Sequence, residues 1–558
     1  MAATAQSLPV DLYHLLSTEL ADRLDFPTLY NCVTSSAQIA NSGAIAALYR
    51  ISHSAPVKGG GEGLSLAEQE LTVQRWSILW RSIILSAFGK TLHPYCRHLR
   101  LLDLRDLADL LDDDKFRNKI TKNFFAGELS QFHHVSTATR GRPARLDIKR
   151  IVTAIGDKIT QSSPLLDALT EPTNSSMLSS QLVNWAPRLT HLKSLDLWDG
   201  AALADEAVQN ALHQHCPNLS VLRLYSSRND DADRAIATFI SGMQQNTLTY
   251  FENLSICHIG TETCLALNHH GKSLQSLKLF LTGDDVPALA LLQGCTSIMD
   301  LSLTSPTGVP DLKATQNDIY LEIIEWLQKC ISLREISFMN FTSAPDLLLP
   351  VLLNKDVRLQ KLQINANDTN ANDTGMYVVN NHREFHQALT QQPDLTRLLL
   401  RADPDPATRD DIDTLIDSFV SLKALRELGL WRISDYFTDA HIGMLAQQLP
   451  KLEELYVGGY GISDSCFNDL AQLKNLRVLT LSGVTTFTEK GIMDFVNQLG
   501  TGNRGLVLAV DNADYDSALS QESQEIIRAA IMTKLDGRFE YQLLRDPNYP
   551  DLDSDDSD

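Results

Sequence analysis

One pattern of apolar and polar positions runs through most of the chain: an aliphatic anchor, a second three residues on, and a third two beyond that. It stands at Leu192/Leu195/Leu197, Leu219/Leu222/Leu224, Phe251/Leu254/Ile256, Leu274/Leu277/Leu279, Ile298/Leu301/Leu303 and Leu333/Ile336/Phe338. It continues at Leu359/Leu362/Ile364, Leu395/Leu398/Leu400, Leu425/Leu428/Leu430, Leu452/Leu455/Val457 and Leu476/Leu479/Leu481. Successive occurrences are 23 to 36 residues apart, so some units carry insertions. The last two anchors lie two apart, which on a strand points both to one face. Between occurrences lie stretches such as Leu203–Leu212 with apolar residues at helical spacing, and these predict one helix per unit. Leu506/Leu508/Val510 reads as a degenerate further unit and Leu99/Leu102/Leu104 as an outlying first one.

A unit of one short strand and one helix cannot bury its apolar face alone, whereas stacked units share a continuous core. The pattern therefore predicts an α/β leucine-rich-repeat solenoid, with parallel strands on the concave side and helices on the convex side. Cys216, Cys295 and Cys330 each stand three residues before a first anchor. In this the units resemble the cysteine-containing repeat subclass common in F-box proteins, where the cysteine is a small buried core residue. His213, His215 and Cys216 lack a second pair of ligands, so no metal site is expected.

The first fifty residues differ in kind. Leu12, Leu15, Leu16, Leu20 and Leu24 have helical spacing, DFPTL breaks that helix, and Leu29, Cys32 and Val33 begin another stripe. Read by itself, this is a helical pair that caps the solenoid. The order Leu-Pro, acidic residue, Leu, spaced aliphatics, Asp-x-x-Thr-Leu and Cys also resembles an F-box, without the basic pair and tryptophan that end many of them. The resemblance implies an all-α head that docks onto a Skp-type adaptor through Leu8, Pro9, Leu12, Leu15, Leu16 and Leu20. The stretch from Trp76 through LDLRDLADLLDD is similar to the segment after the F-box in filamentous-fungal F-box/leucine-rich-repeat proteins.

The expected organisation is a head over 1–50, a Gly-rich loop over 51–64, and a linker helix with the outlying first repeat over 65–111. An irregular insertion over 112–184 follows, and then the repeat array over 185–512. A helical capping segment over 513–545 and a disordered acidic tail over 546–558 complete the chain. Ser65 and Glu68 have the spacing of a capping box at the linker helix. The basic run at 133–150 reads as a solvated part of the insertion.

Composition narrows the function. Of 558 residues, 48 are basic and 69 acidic, a net charge of −21, which argues against nucleic-acid or anionic-membrane partners. The N-terminus lacks the basic and apolar regions of a signal peptide, and no apolar run is long enough to span a bilayer. Eight scattered cysteines with no CxxC pair suit reduced thiols in the cytoplasm or nucleus. Nucleophile-elbow, zincin and cysteine-protease motifs are missing, so the chain is expected to be no enzyme and to need no cofactor.

The residue directly after the third anchor should face away from the core. That column reads Trp198, Tyr225, Cys257, Phe280, Thr304, Met339, Asn365, Arg401, Trp431, Gly458 and Ser482, four aromatics against a background of 7%. Trp198, Tyr225, Phe280 and Trp431, joined by Tyr456 from the column between the anchors, are candidate anchors for a protein substrate. The F-box resemblance implies a substrate-recognition subunit of an SCF-type cullin-RING ubiquitin ligase, partnered by the Skp-type adaptor, the cullin and a protein substrate. The alternative is a repeat scaffold for protein interactions that recruits no ligase.

Overall fold

The computed structural model describes residues 9–23, 25–50, 65–136, 145–226, 231–255, 257–365, 376–403, 407–431, 433, 436–460, 462–483, 485–513 and 517–544. Leu8, the Gly-rich loop at 51–64 and the acidic tail at 546–558 lie outside the described residues, as do Leu24, Leu64, Ile256 and part of the basic run. The chain divides into two compact units, Met1–His258 and Ile259–Asp558, and the boundary falls inside the expected 185–512 array.

The first unit begins with the helical head. Helix α1 (Val10–Asp22) starts at Pro9, and α2 (Phe26–Ser35) starts at Asp25, whose carboxylate accepts from the Thr28 N–H at 3.2 Å. Ala21, Leu29, Ala44 and Ala47 form a small core against which Leu20, Phe26, Val33, Ile39 and Leu48 pack. Close approach requires a glycine here: Gly43 has φ +139°, and a Cβ there would stand 2.9 Å from His14 Nδ1.

Ser65 and Glu68 form the reciprocal capping box at the start of the linker helix Leu66–Ala87. Trp76 and Trp80 on that helix both donate their indole N–H to Asp106 Oδ2, each at 2.7 Å. Burial raises the Asp106 carboxyl to about 6 against the pull of these two donors. The head is joined to the first repeat: the Arg50 carbonyl accepts from the Arg100 and Leu101 N–H groups at 2.7 and 3.0 Å. The Tyr49 and Tyr95 rings stack beside that junction with centroids 4.1 Å apart.

Five parallel strands follow in sequence order: β1 (Leu101–Asp103), β2 (Ala168–Thr170), β3 (Ser194–Asp199), β4 (Val221–Ser226) and β5 (Tyr250–Asn253). Leu102, Leu169, Leu195, Leu222 and Phe251 stand in one buried row across them. Each such burial contributes about 1.5–3 kcal/mol.

Two expectations are corrected here. The segment 112–184 is an irregular insertion only in its first half; its second half is a complete repeat, helix Ile148–Ser162 and then β2 paired to both β1 and β3. Its anchors are Leu166, Leu169 and Glu171, and the acid in the third position hid it. Likewise the unit placed at Phe251/Leu254/Ile256 is shifted by one anchor. Phe251 pairs with Leu222 and Asn253 with Leu224, so its anchors are Leu248, Phe251 and Asn253. The residue after the third anchor is therefore Leu254, 46% exposed, and not the buried Cys257.

The second unit carries ten described strands, again parallel and in sequence order. They are β6 (Ser276–Phe280), β7 (Asp300–Val309), β8 (Glu335–Phe341), β9 (Lys361–Ile364), β10 (Arg397–Arg401), β11 (Glu427–Trp431), β12 (Glu454–Gly458), β13 (Val478–Ser482), β14 (Val507–Ala513) and β15 (Arg538–Leu543). Helices between them bury one stripe, as in Arg409–Phe419, where Ile412, Leu415, Ile416 and Phe419 face inward. The expected helical cap at 513–545 contains helix Gln521–Leu535, but the chain then returns as β15 and extends the sheet. Each unit is thus an α/β leucine-rich-repeat stack of strand-and-helix coils.

Cys216, Cys295 and Cys330 are buried where the repeat turns into its strand, and burial pushes each thiol up to about 12. The Cys216 and Cys330 thiols donate weakly to the Leu189 and Cys295 carbonyls, each at 3.4 Å. Cys96, three residues before Leu99, occupies the same place in the first repeat and is also buried.

Candidate functional site

The two middle anchors of each strand point into the core, so the residues between and after them form the opposite, open face of the sheet. In the first unit, Trp198 at the end of β3 and Tyr225 at the end of β4 stack with centroids 3.6 Å apart and planes at 16°. Tyr225 is 40% exposed, and Leu254 continues the row beyond it. The neighbouring row is charged: Arg223 bridges Asp196 and Glu252, each at 3.2 Å, and lies 4.5 Å above the Tyr250 ring.

Glu171 holds this end of the face together. Its side chain occupies an aliphatic core position and is 1% exposed. One carboxylate oxygen accepts from Leu178 N–H at 2.8 Å, and the other accepts from Trp198 N–H at 2.9 Å and Asp199 N–H at 3.4 Å. Burial raises the carboxyl to about 7, although all three donors favour the anion. The acid thereby fixes the backbone that carries Trp198, beside a cavity of about 340 Å³ lined by Asn174, Ser176, Trp198, Asp199 and Tyr225.

In the second unit, Trp431 ends β11 and its ring folds back across Gly429. There it stacks on Tyr456 of β12, with centroids 4.8 Å apart and planes at 29°. Beside the pair is a cavity of about 410 Å³ whose lining includes Arg397, Glu427 and Glu454. Arg397 pairs with Glu427 at 2.9 Å. Burial raises the Glu427 carboxyl; Arg397 opposes the shift, and the neighbouring Glu454 adds to it. Phe280 is half-buried at the end of β6, five strands from β11 and roughly 24 Å away at 4.8 Å per strand. The candidate aromatics therefore form a stacked pair in each unit, with Phe280 apart from Trp431 and Tyr456. Register created these pairs, and the role of Gly429 had no signal in the residue pattern.

On the head, Pro9 is exposed, and Leu12, Leu15 and Leu16 are 46, 61 and 47% exposed along α1. Leu20 is half-buried against the head's own core, so its contacts point inward.

Among the described residues no group of three or more His, Cys, Asp or Glu is placed to hold a metal ion. Nor, among them, is any helix long and apolar enough to cross a membrane. His213 hydrogen-bonds to the Phe239 carbonyl at 2.9 Å and stacks on the Phe239 ring.

The sequence matches no protein-family model and no curated protein. Among solved structures, the chain is similar to one in the Rad7 and Elc1 complex from yeast, at 14% identity and a TM-score of 0.38, covering 83% of this chain and 97% of that one. It is similar to the leucine-rich-repeat-containing protein LegL7 from Legionella pneumophila at 12% identity and a TM-score of 0.29, covering 58% and 92%. A third similarity is to a chain of the TLR13–ssRNA13 complex, at 14% identity and a TM-score of 0.32, covering 64% and 61%. The leucine-rich-repeat fold itself is established by the chain's own anchors, parallel strands and alternating helices.

Proposed function

We propose that the chain is the substrate-recognition subunit of an SCF-type cullin-RING ubiquitin ligase, acting in the cytoplasm or nucleus. The F-box-like head docks onto the Skp-type adaptor, and the open strand face holds a protein substrate. The chain supplies proximity and orientation, while the recruited conjugating enzyme carries out ubiquitin transfer. Affinity with the filamentous-fungal F-box/leucine-rich-repeat proteins belongs to the same reading, through the stretch that begins at Trp76.

The observation that carries it is the outer face of α1. Leu12, Leu15 and Leu16 share one face of the helix, and all three are exposed although the head has a separate core of its own. An exposed leucine cluster on a small helical module is a docking surface in want of a partner. The test is co-purification of adaptor and cullin with the full-length chain, comparing wild type with an L12D/L15D/L16D variant. Retention by wild type and loss by the variant support the reading. If wild type retains no adaptor, the chain is a repeat scaffold unattached to a ligase.

A further inference from the structure

We infer that the cavity beside Trp431 and Tyr456 is a subsite for a lysine or arginine side chain of a protein partner. This rests on the reading that the strand face binds protein, and it is independent of whether the head binds an adaptor.

Three observations converge on it. First, a glycine inside a strand weakens the strand and marks a place where something approaches the backbone closely. At Gly429 that something is the Trp431 ring, laid flat across the sheet and braced by Tyr456. The result is a half-buried aromatic platform, the surface over which a cation is attracted by the ring quadrupole.

Second, the ion pairs along the row next to the platform leave one carboxylate over, while Arg401 stands beside Trp431 in the platform's own row. Lys361 pairs with Glu335 and Arg397 with Glu427, while Glu454 occupies the next place in register and has no ion-pair partner among the described residues. In this row Glu454 is the carboxylate left over, and a further cation would complete it. An anionic ligand would meet Glu427 and Glu454. An aliphatic one would remove water from Glu454 without replacing its interactions.

Third, the cavity of about 410 Å³ has room for a long side chain together with water. Its lining suits such a residue: Leu399 and Val478 are apolar partners for the stem, and Glu427 and Glu454 are partners for the charged end.

The test uses the full-length chain and fluorescein-labelled, Gly/Ser-spaced peptides that bear lysine, norleucine or glutamate, with binding read by anisotropy at low salt. The lysine peptide is expected to bind, and the norleucine and glutamate peptides to bind at least tenfold more weakly. E454Q should weaken lysine-peptide binding about fivefold, and W431A tenfold or more. E525Q removes the same charge from an exposed position on helix Gln521–Leu535 and should leave binding unchanged. Equal binding of norleucine and lysine peptides would overturn the inference, as would an equal effect of E454Q and E525Q or no binding to wild type. E454Q lies on an exposed side chain and tests the subsite even if W431A misfolds. Adaptor co-purification with the wild-type chain separates the two readings: no retained adaptor beside intact lysine-peptide binding speaks against the ligase alone.

Discussion

The indole of Trp431 fills the space above Gly429: a Cβ at position 429 would overlap its six-membered ring and stand 2.9 Å from Leu399 Cδ2. Substituting Gly429→Val should expel the ring from its seat and cost about 1–3 kcal/mol through overpacking. Tryptophan emission should shift to the red as the indole enters water, and the urea midpoint should fall. An unchanged emission spectrum would contradict the seating of the ring.

Glu171 predicts a specific pH dependence. Its carboxyl titrates near 7 in the folded chain against an ordinary value of 4.5, so between these values the native state holds a proton that the unfolded state has lost. Its contribution is fully present below about pH 4.5, declines as pH rises to 7, and above that is lower by up to about 3 kcal/mol. Glu171→Gln cannot titrate, and it turns an amide N–H₂ towards backbone donors, which costs about 1–3 kcal/mol. Urea unfolding at pH 5 and pH 8 should show a smaller difference in the variant than in wild type.

His386 acts in the opposite direction. It is 1% exposed, lies 3.4 Å from the Tyr377 hydroxyl, and burial lowers it to about 3, helped by the neighbouring His382. The unfolded chain takes up a proton below the ordinary 6.5, so stability is full above that value and is lost as pH falls towards 3. His386→Phe should move the acid-unfolding midpoint of the second unit to lower pH, as read by circular dichroism.

In the head, exposed and core leucines are separate sets. Leu15→Asp falls on an exposed position and should change stability by no more than about 0.5 kcal/mol. Leu29→Ala opens the head's core and should cost about 2–5 kcal/mol. Thermal unfolding of the two variants should differ in that order. If both were equally destabilised, the leucines of α1 would be structural.

How much of this was legible beforehand depended on where polar atoms sit. Anchors at a three-then-two spacing declare strands with one buried face, and that was readable wherever all three anchors were aliphatic. The repeat at β2 and the register of β5 were not, because Glu171 and Asn253 fill the third position. Both are buried polar side chains held by hydrogen bonds, Asn253 Nδ2 donating to the Ser255 carbonyl at 3.4 Å. An aliphatic pattern cannot register a partner that exists only after folding. The final strand also escaped, since Phe539, Tyr541 and Leu543 alternate with Arg538, Glu540 and Gln542 without the repeat phrase. For the candidate site, the aromatic column was visible in the residues, whereas its division into stacked pairs needed the strand register.

The cysteines offer a chemical check. Seven of the eight are buried and Cys32 is half-exposed. An aromatic disulfide reagent should titrate about one thiol in the native chain and the remainder only in denaturant.

The Arg50 carbonyl, bonded to the N–H groups of Arg100 and Leu101, makes the head's last residue a neighbour of the first strand. The head is therefore seated on the end of the first unit's sheet. Trp76 and Trp80, both hung on Asp106, brace the linker helix against rotation at the same place. A molecule gripped on α1 and another gripped at Trp198 and Tyr225 would be held like work between the jaws of a caliper, at a reach set by the count of coils between them.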